Sequence, residues 1–514
     1  MTSQRTDKTI GEFIRDLFPS TNRRSRCPAW PPDCFAVALC LLTAAGAYGD
    51  LLADWPPPEE IETWVKKVRK LSEDWRQKWR SGTRFHGLDE EWREVLGEFD
   101  NIPGYANKPQ WRRALMLLLA VSDETFAGVG AFILESAGSD NFIRTASDQI
   151  FSAGSLSFAH WTRSTVLPKM HTPQKGLSDR SLSLNLSLYD RSEVNVKWWQ
   201  PNDGKDIFTE SLNLLVFPWP FEVLVSQFRR ISGAARPGFG FFTYESEPNI
   251  DTLISTLHQL YTKAERKLGR VHGIVMPELS MSSSQYDAVK QEVAPESFLI
   301  CGVGDGVSSS NEVRCWFPRF TQPAIQSKHH PWTMDESQII QYGLGGALDP
   351  TRKWREQGTF KGRGINFLAL RRDFVASVFI CEDLARPDPV TSLVRAVGPN
   401  LILALLMDGP QLKERWAARY ATVFADDPGS SVLAITSIGM AKLSHPKSGP
   451  NRNRVVAIWK DAFDAATEIE LPEGALGLAL TLSMKRSSEY SADGRERQES
   501  AVYPILSGVH PVFP

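Results

Sequence analysis

Four polar residues stand at the ends of strand-like runs or just beyond them, and their types suit acyl chemistry. Cys381 terminates ASVFIC and is followed at once by Glu382, Asp383 and Leu384. Glu278 follows the run VHGIVM through Pro277, and Lys328 ends TQPAIQSK. Glu336 lies eight residues beyond Lys328, in TMDESQ. A cysteine thiolate attacks acyl carbons well, but a free thiol with a pKa of about 8.5 is only a few per cent ionised at neutral pH. It therefore needs a base or a cation. A carboxylate can take the thiol proton and later activate water, and a lysine can lower the thiol pKa and hold the oxyanion of a tetrahedral intermediate.

The elements that must position these residues follow from periodicity. From about residue 205 the chain alternates apolar strand-like runs (LNLLVFPW, FGFFTYE, HGIVM, FLICGVG, RCWFP, ASVFIC, LILALLM, SVLAITS) with helical stretches, one of them over about Asp251 to Lys267. Such alternation predicts an α/β domain, in which the loops beyond strand C-termini gather ligands and catalytic side chains. Residues 1–180 read instead as a separate α-helical domain, with Trp64, Trp75, Trp79 and Trp92 set among Lys, Arg and Glu in amphipathic fashion. Prolines at Pro28, Pro31, Pro32 and Pro56 to Pro58 punctuate these helices, and a further helix pair is expected over Gln110 to Gly138. Between the two parts, Leu182, Leu184, Leu186 and Leu188 alternate with polar residues, as do Val194, Val196 and Trp198 after YDRS, which predicts a β-hairpin.

MPELS, KHHPWTMDE and FICEDL resemble the three catalytic motifs of the nitrilase, or carbon–nitrogen hydrolase, superfamily, and ICEDL is most similar to the glutaminase domains of NAD synthetases. The resemblance covers about residues 205–485. It implies an α-β-β-α sandwich over residues 205–514 and hydrolysis of non-peptide C–N bonds through a thioester, with no cofactor or metal. Position by position it makes Glu278 the general base, Lys328 the oxyanion-holding lysine, Glu336 the second, positioning glutamate and Cys381 the nucleophile. Lys353 is an alternative lysine, but it lacks the strand lead-in and the following glutamate. MDGPQLKERWAARYATVFADD resembles the segment after the nucleophile and offers Asp408 and Trp416 as pocket-lining residues.

The implied partner is a small-molecule amide or nitrile, with a homo-oligomer as the expected assembly. The segment QYGLGGALDPTRKWREQGTFKGRG lengthens the Lys328 to Cys381 interval and reads as an inserted loop over the site. The alternative function is a regulatory or assembly protein that docks a partner through its N-terminal domain. The resemblance extends to nitrilase-like parts of bacterial phage-defence proteins, although no polymerase domain is present here.

Composition narrows the classes further. A formal net charge of −2 supplies no global basic field for nucleic acid or anionic lipid. Six cysteines without a CxxC pair fit a reducing compartment, and the polar start carries no signal-peptide pattern, so the chain reads as cytoplasmic. Cys34 to Gly49 is sixteen residues without a charge, shorter than the about 20 that span a bilayer, and predicts a buried helix. Phe424 to Asp427 spells a polymerase-like FxDD, but it ends a helical stretch before Pro428 and Gly429. Gly302, Gly304 and Gly306 follow a strand with the wrong spacing for a dinucleotide fingerprint and read as a turn. His329 and His330 have no partners at metal-ligand spacing.

Overall fold

A computed structural model describes residues 9–12, 26–46, 56–97, 108–129, 164–190, 194–201, 203–232, 238–246, 249–293, 296–305, 310–358, 363–444 and 452–514. Two seven-stranded sheets form its centre. The first runs in the order β10 (Ala324–Ser327), β9 (Ser310–Trp316), β8 (Phe298–Asp305), β7 (Gly273–Val275), β4 (Ser211–Val216), β19 (Gly477–Ser487), β20 (Ala501–Val512). The second runs β18 (Thr467–Glu470), β17 (Val455–Lys460), β16 (Ser431–Thr436), β15 (Leu401–Leu406), β14 (Phe374–Ile380), β13 (Arg363–Arg371), β3 (Val194–Trp199).

The central strands bury both faces, and side-chain alternation divides the two cores. Leu214 and Val216 of β4, with Phe298 and Ile300 of β8, enter one core with Phe367, Val378, Leu403 and Leu433 of the opposite sheet. Their neighbours Leu215, Leu299 and Cys301 face outward into a second core. There they meet helices α5 (Ile250–Leu268) and α6 (Ser283–Glu292), through Leu253, Leu257, Leu260, Tyr286 and Val289. On the outer side of the second sheet lie α8 (Ser392–Val397) and α9 (Trp416–Asp426), the latter against β16 and β17. The order of layers is α-β-β-α, as expected.

The N-terminal region holds α1 (Pro31–Ala45), α2 (Ile61–Arg80), α3 (Asp89–Leu96) and α4 (Pro109–Glu124) around their own core, with Trp64, Trp75 and Trp92 buried and Trp79 packed against it. α1 takes in residues 34–45 of the charge-free segment, of which 47–49 lie outside the described residues; Gly46 ends it at φ 63, and it lies buried against α4. No described helix is long and apolar enough to cross a membrane. Of the helix pair expected over Gln110 to Gly138, α4 is the first member, and the second lies outside the described residues.

Two expectations are corrected. The hairpin predicted around YDRS does not form. β2 (Leu186–Asp190) pairs with β1 (Ser164–Pro168), whereas β3 runs parallel to β13 at the edge of the large sheet. Alternation showed the strands but not their partners, because pairing is decided by surfaces far away in sequence. The β1–β2 ribbon joins the two cores: Val166 points into the helical core and its neighbour Leu167 into the sandwich.

The expected inserted loop, of which residues 359–362 lie outside the described ones, also carries regular elements. It contributes part of α7 (Glu336–Gln341) and all of β12 (Lys353–Glu356), which enters a four-stranded sheet in the order β11 (Thr333–Met334), β12, β6 (Phe239–Tyr244), β5 (Phe228–Arg230). This small sheet and α7 share a core with Leu279 and Met407, residues beside the strand ends of the large sheets, and so cover those ends.

Candidate active site

Glu278 lies three residues beyond β7, on a turn seated directly against β8. A Cβ on Gly302 would stand 2.4 Å from the Glu278 Cα, so only glycine permits the approach. The turn is fastened there by Gly302 N–H to Pro277 O at 3.0 Å and Ser280 N–H to Gly302 O at 2.9 Å. Gly302 and Gly304 are therefore part of strand β8 rather than a turn, and Gly306 lies outside the described residues.

Lys328 follows β10, and its backbone N–H donates to the Asn311 carbonyl at 2.9 Å. Its Nζ donates to Glu278 Oε1 at 2.8 Å and to Glu356 Oε2 at 2.6 Å. Asn311, on β9, sends Nδ2 to Glu278 Oε1 and to Glu356 Oε1, both at 2.7 Å. Backbone N–H groups complete the set, Met407 to Glu278 Oε2 at 2.8 Å and Trp332 to Glu356 Oε2 at 2.9 Å. Each carboxylate thus accepts from one ammonium, one amide side chain and one peptide N–H. An ammonium has three N–H donors, so one on Lys328 remains for a substrate oxygen.

Glu336 does not belong to this cluster. It is the exposed first residue of α7, beside the N-cap Asp335. Glu356, 28 residues after Lys328, occupies the position expected of the second glutamate. The eight-residue offset failed because the intervening chain first forms α7 and then returns as β12. Lys353 opens β12 and is exposed, which leaves Lys328 as the cluster's lysine. Neither Asn311 nor Glu356 carried a sequence signal; an asparagine in an alternating strand looks like any half-buried polar residue.

Cys381 directly follows β14 and opens a one-turn 3-10 helix over Cys381–Ala385. Its φ is 45, and Leu279, next to Glu278, has φ 52; they are the non-glycine residues of positive φ among those described. Such backbone costs about 1–3 kcal/mol per residue and persists where surroundings enforce it. For Cys381 the enforcement comes from Asp383, fully buried two residues on. Asp383 Oδ1 accepts from the His330 N–H at 2.8 Å and His330 Nδ1 at 2.9 Å, and Oδ2 accepts from the His329 N–H at 3.0 Å. One carboxylate thereby ties the cysteine turn to the loop that follows Lys328.

Charges set the proton states. Burial pushes the Cys381 thiol well above its ordinary pKa, the Glu278 carboxylate pushes it further, and Lys328 only partly offsets them. Burial also raises Glu278, although the Lys328 charge opposes it. For Glu356 burial acts upward but is overcome by Lys328 and the N–H donors, leaving it below the usual range. Burial opposes the Lys328 charge, yet the two carboxylates outweigh it and hold the ammonium well above its ordinary value.

Beside this cluster, Asp408 accepts from Arg415 Nη2 at 2.5 Å, from Trp416 Nε1 at 2.9 Å and from the Tyr342 hydroxyl. Asp408 and Trp416 are therefore in direct contact, and Tyr342 and Arg415 join them. Among the described residues no group of His, Cys, Asp and Glu could hold a metal ion.

No family model matches the chain, and no curated protein matches it. Among solved structures it is similar to an amidase from Nesterenkonia sp., at 12% identity and TM-score 0.29, over 60% of this chain and 93% of that one. It is similar to a CN-hydrolase superfamily protein from Xanthomonas campestris, whose active site holds an arsenic adduct, at 12% identity and TM-score 0.32, over 53% and 90%. Saccharomyces cerevisiae Nit3, a member of branch 10 of the nitrilase superfamily, gives 12% identity and TM-score 0.31, over 52% and 88%. Overlap this loose decides nothing about chemistry; the α-β-β-α order stands on the strand pairing and packing described above.

Proposed function

We propose that the chain is an amidase-type hydrolase that cleaves a non-peptide carbon–nitrogen bond through a thioester on Cys381. The observation that carries this reading is the Glu278–Lys328–Glu356 cluster, buried around one ammonium and beside a thiol on an enforced turn. Glu278 takes the thiol proton as sulfur attacks the acyl carbon. Its Oε2 has a single donor, the Met407 N–H, and so keeps a lone pair for that proton. The remaining Lys328 N–H meets the oxyanion. Collapse of the tetrahedral intermediate expels ammonia or an amine, which takes the proton from Glu278. Water activated by the same carboxylate then releases the acid and restores the thiol. Glu356 orients Lys328, and Asp408 with Trp416 forms the pocket wall.

Ammonia release and intact mass, measured with a panel of small aliphatic and aromatic amides and nitriles, test the reading. Turnover together with an acyl adduct that maps to Cys381 and vanishes in Cys381→Ala supports it. If the folded protein neither turns over nor acylates with any of them, the assembly reading replaces it.

A further inference from the structure

The cluster holds two carboxylates and one ammonium, and a single neutral side chain spans both acids. Asn311 Nδ2 reaches Glu278 Oε1 and Glu356 Oε1, each at 2.7 Å. Its Oδ1 is buried without a hydrogen-bond partner among the described residues. The carboxylates therefore dictate the amide's orientation, since the flipped form would set Oδ1 against both of them. Two N–H donors from one amide match two ionised acids and not a pair that shares a proton.

We propose that Asn311 is a positioning residue that keeps Glu278 and Glu356 ionised together around Lys328, so that Cys381 rests as a thiol and gives up its proton only during attack. With both acids ionised the cluster carries a formal charge of −1, and the lysine's charge is taken up by carboxylates rather than by the sulfur. The proposal rests on the hydrolase reading, in which Glu278 must be an ionised base before substrate arrives.

The other charges that act on Cys381 are answered by their own partners. Asp408 is held by Arg415, and Glu382 by Arg386 at 2.8 Å. Of the nearby imidazoles, His330 is bound to Asp383, and His329 Nε2 lies 3.1 Å from the Gly364 carbonyl. The Glu278–Lys328–Glu356 balance is thus the one that Asn311 can change.

The test is alkylation of the full-length protein by iodoacetamide from pH 6 to 9.5, with rates mapped by peptide mass spectrometry for wild type and Asn311→Leu. Removal of both N–H donors lets one acid bind a proton at neutral pH and brings the cluster to neutrality. The Cys381 profile should then move to lower pH by about one unit, a roughly tenfold faster reaction at pH 7.5. Cys301 and Cys315, buried on β8 and β9, report loosening of the fold and should keep their wild-type rates.

Should Asn311→Leu not fold, Glu356→Gln makes the same charge change with Asn311 retained, and the same shift is expected. Superposed Cys381 profiles in the folded variant and wild type overturn the proposal, as does fast alkylation of wild type below pH 7. Ammonia release by wild type, measured alongside, separates the two ideas. Turnover with superposed profiles removes only the role of Asn311, whereas a shifted profile with no turnover of any amide removes only the hydrolase.

Discussion

Two buried clusters in this molecule surround one cation with carboxylates, and they use it in opposite ways. Arg495 lies between the helical region and the sandwich. It donates through Nε to Asp493 at 2.8 Å and through Nη1 to Asp123 at 3.0 Å, and it also binds the Ala120 and Leu182 carbonyls. Arg495, Asp493 and Asp123 are 0% exposed. Lys328, Glu278 and Cys381 retain 6%, 3% and 4%. The guanidinium cannot lose its proton, and through Asp123 and Ala120 its cluster fixes α4 to the loop between β19 and β20. Among the described residues the lysine's cluster keeps one N–H and a lone pair on each carboxylate uncommitted, beside backbone that is held against its preference. Similar ingredients thus serve one region as a tie between helix and loop and leave the other with an ammonium N–H to spare.

Breaking the clamp should have the largest effect on stability. Arg495→Met leaves Asp123 and Asp493 buried without their cation and is expected to cost about 3–5 kcal/mol by urea unfolding. Cys381 alkylation below the unfolding transition should stay at the wild-type rate; a variant as stable as wild type would end the contrast. Glu278→Gln is expected to do the reverse, cutting amide turnover about 10²–10⁴-fold with thiol acylation lost in parallel while circular dichroism is unchanged. Unaltered turnover would move the base elsewhere.

Acid titration sharpens the comparison at a neighbouring part of the clamp. Burial acts to raise the Glu489 carboxyl, but Arg497, His171 and Tyr503 overcome it and hold it down at about 2. A depressed carboxyl stabilises the fold fully above its unfolded value of about 4.3, and the contribution is lost as pH falls toward 2. Glu489→Gln should therefore flatten the acid limb of stability between about pH 4.3 and 2; an unchanged limb would place the acid sensitivity elsewhere. The smallest effect is expected of Trp416→Phe, which removes the Nε1–H donor to Asp408. A loss of about 0.5–1.5 kcal/mol in stability, with a rise in KM that exceeds any fall in kcat, fits a pocket wall. A fall in kcat alone would place the indole nearer the chemistry.

Three of the site residues were legible because their signals are local. Cys381 and Glu278 follow apolar runs that read as buried strands, Lys328 follows the strand-like TQPAIQS, and strand ends are where α/β proteins collect reactive groups. Glu336 was misplaced for the opposite reason. A glutamate at a fixed offset is informative only if the intervening chain keeps its course, and here that chain turns into α7 and returns through β12. Asp383 was visible as a neighbour of Cys381, but its role is set by two N–H groups that are 54 and 53 residues away. Asn311 was silent altogether.

By itself the sequence determined the period of each element, the buried character of α1, and the residue types at three strand ends. Those properties depend on neighbours within a few positions, where backbone geometry alone relates side chains. Only the tertiary structure decided which strand pairs with which, that β12 supplies the second carboxylate, and that Asn311 joins the two acids. Each of these depends on surfaces brought together by burial, and burial is indifferent to distance along the chain.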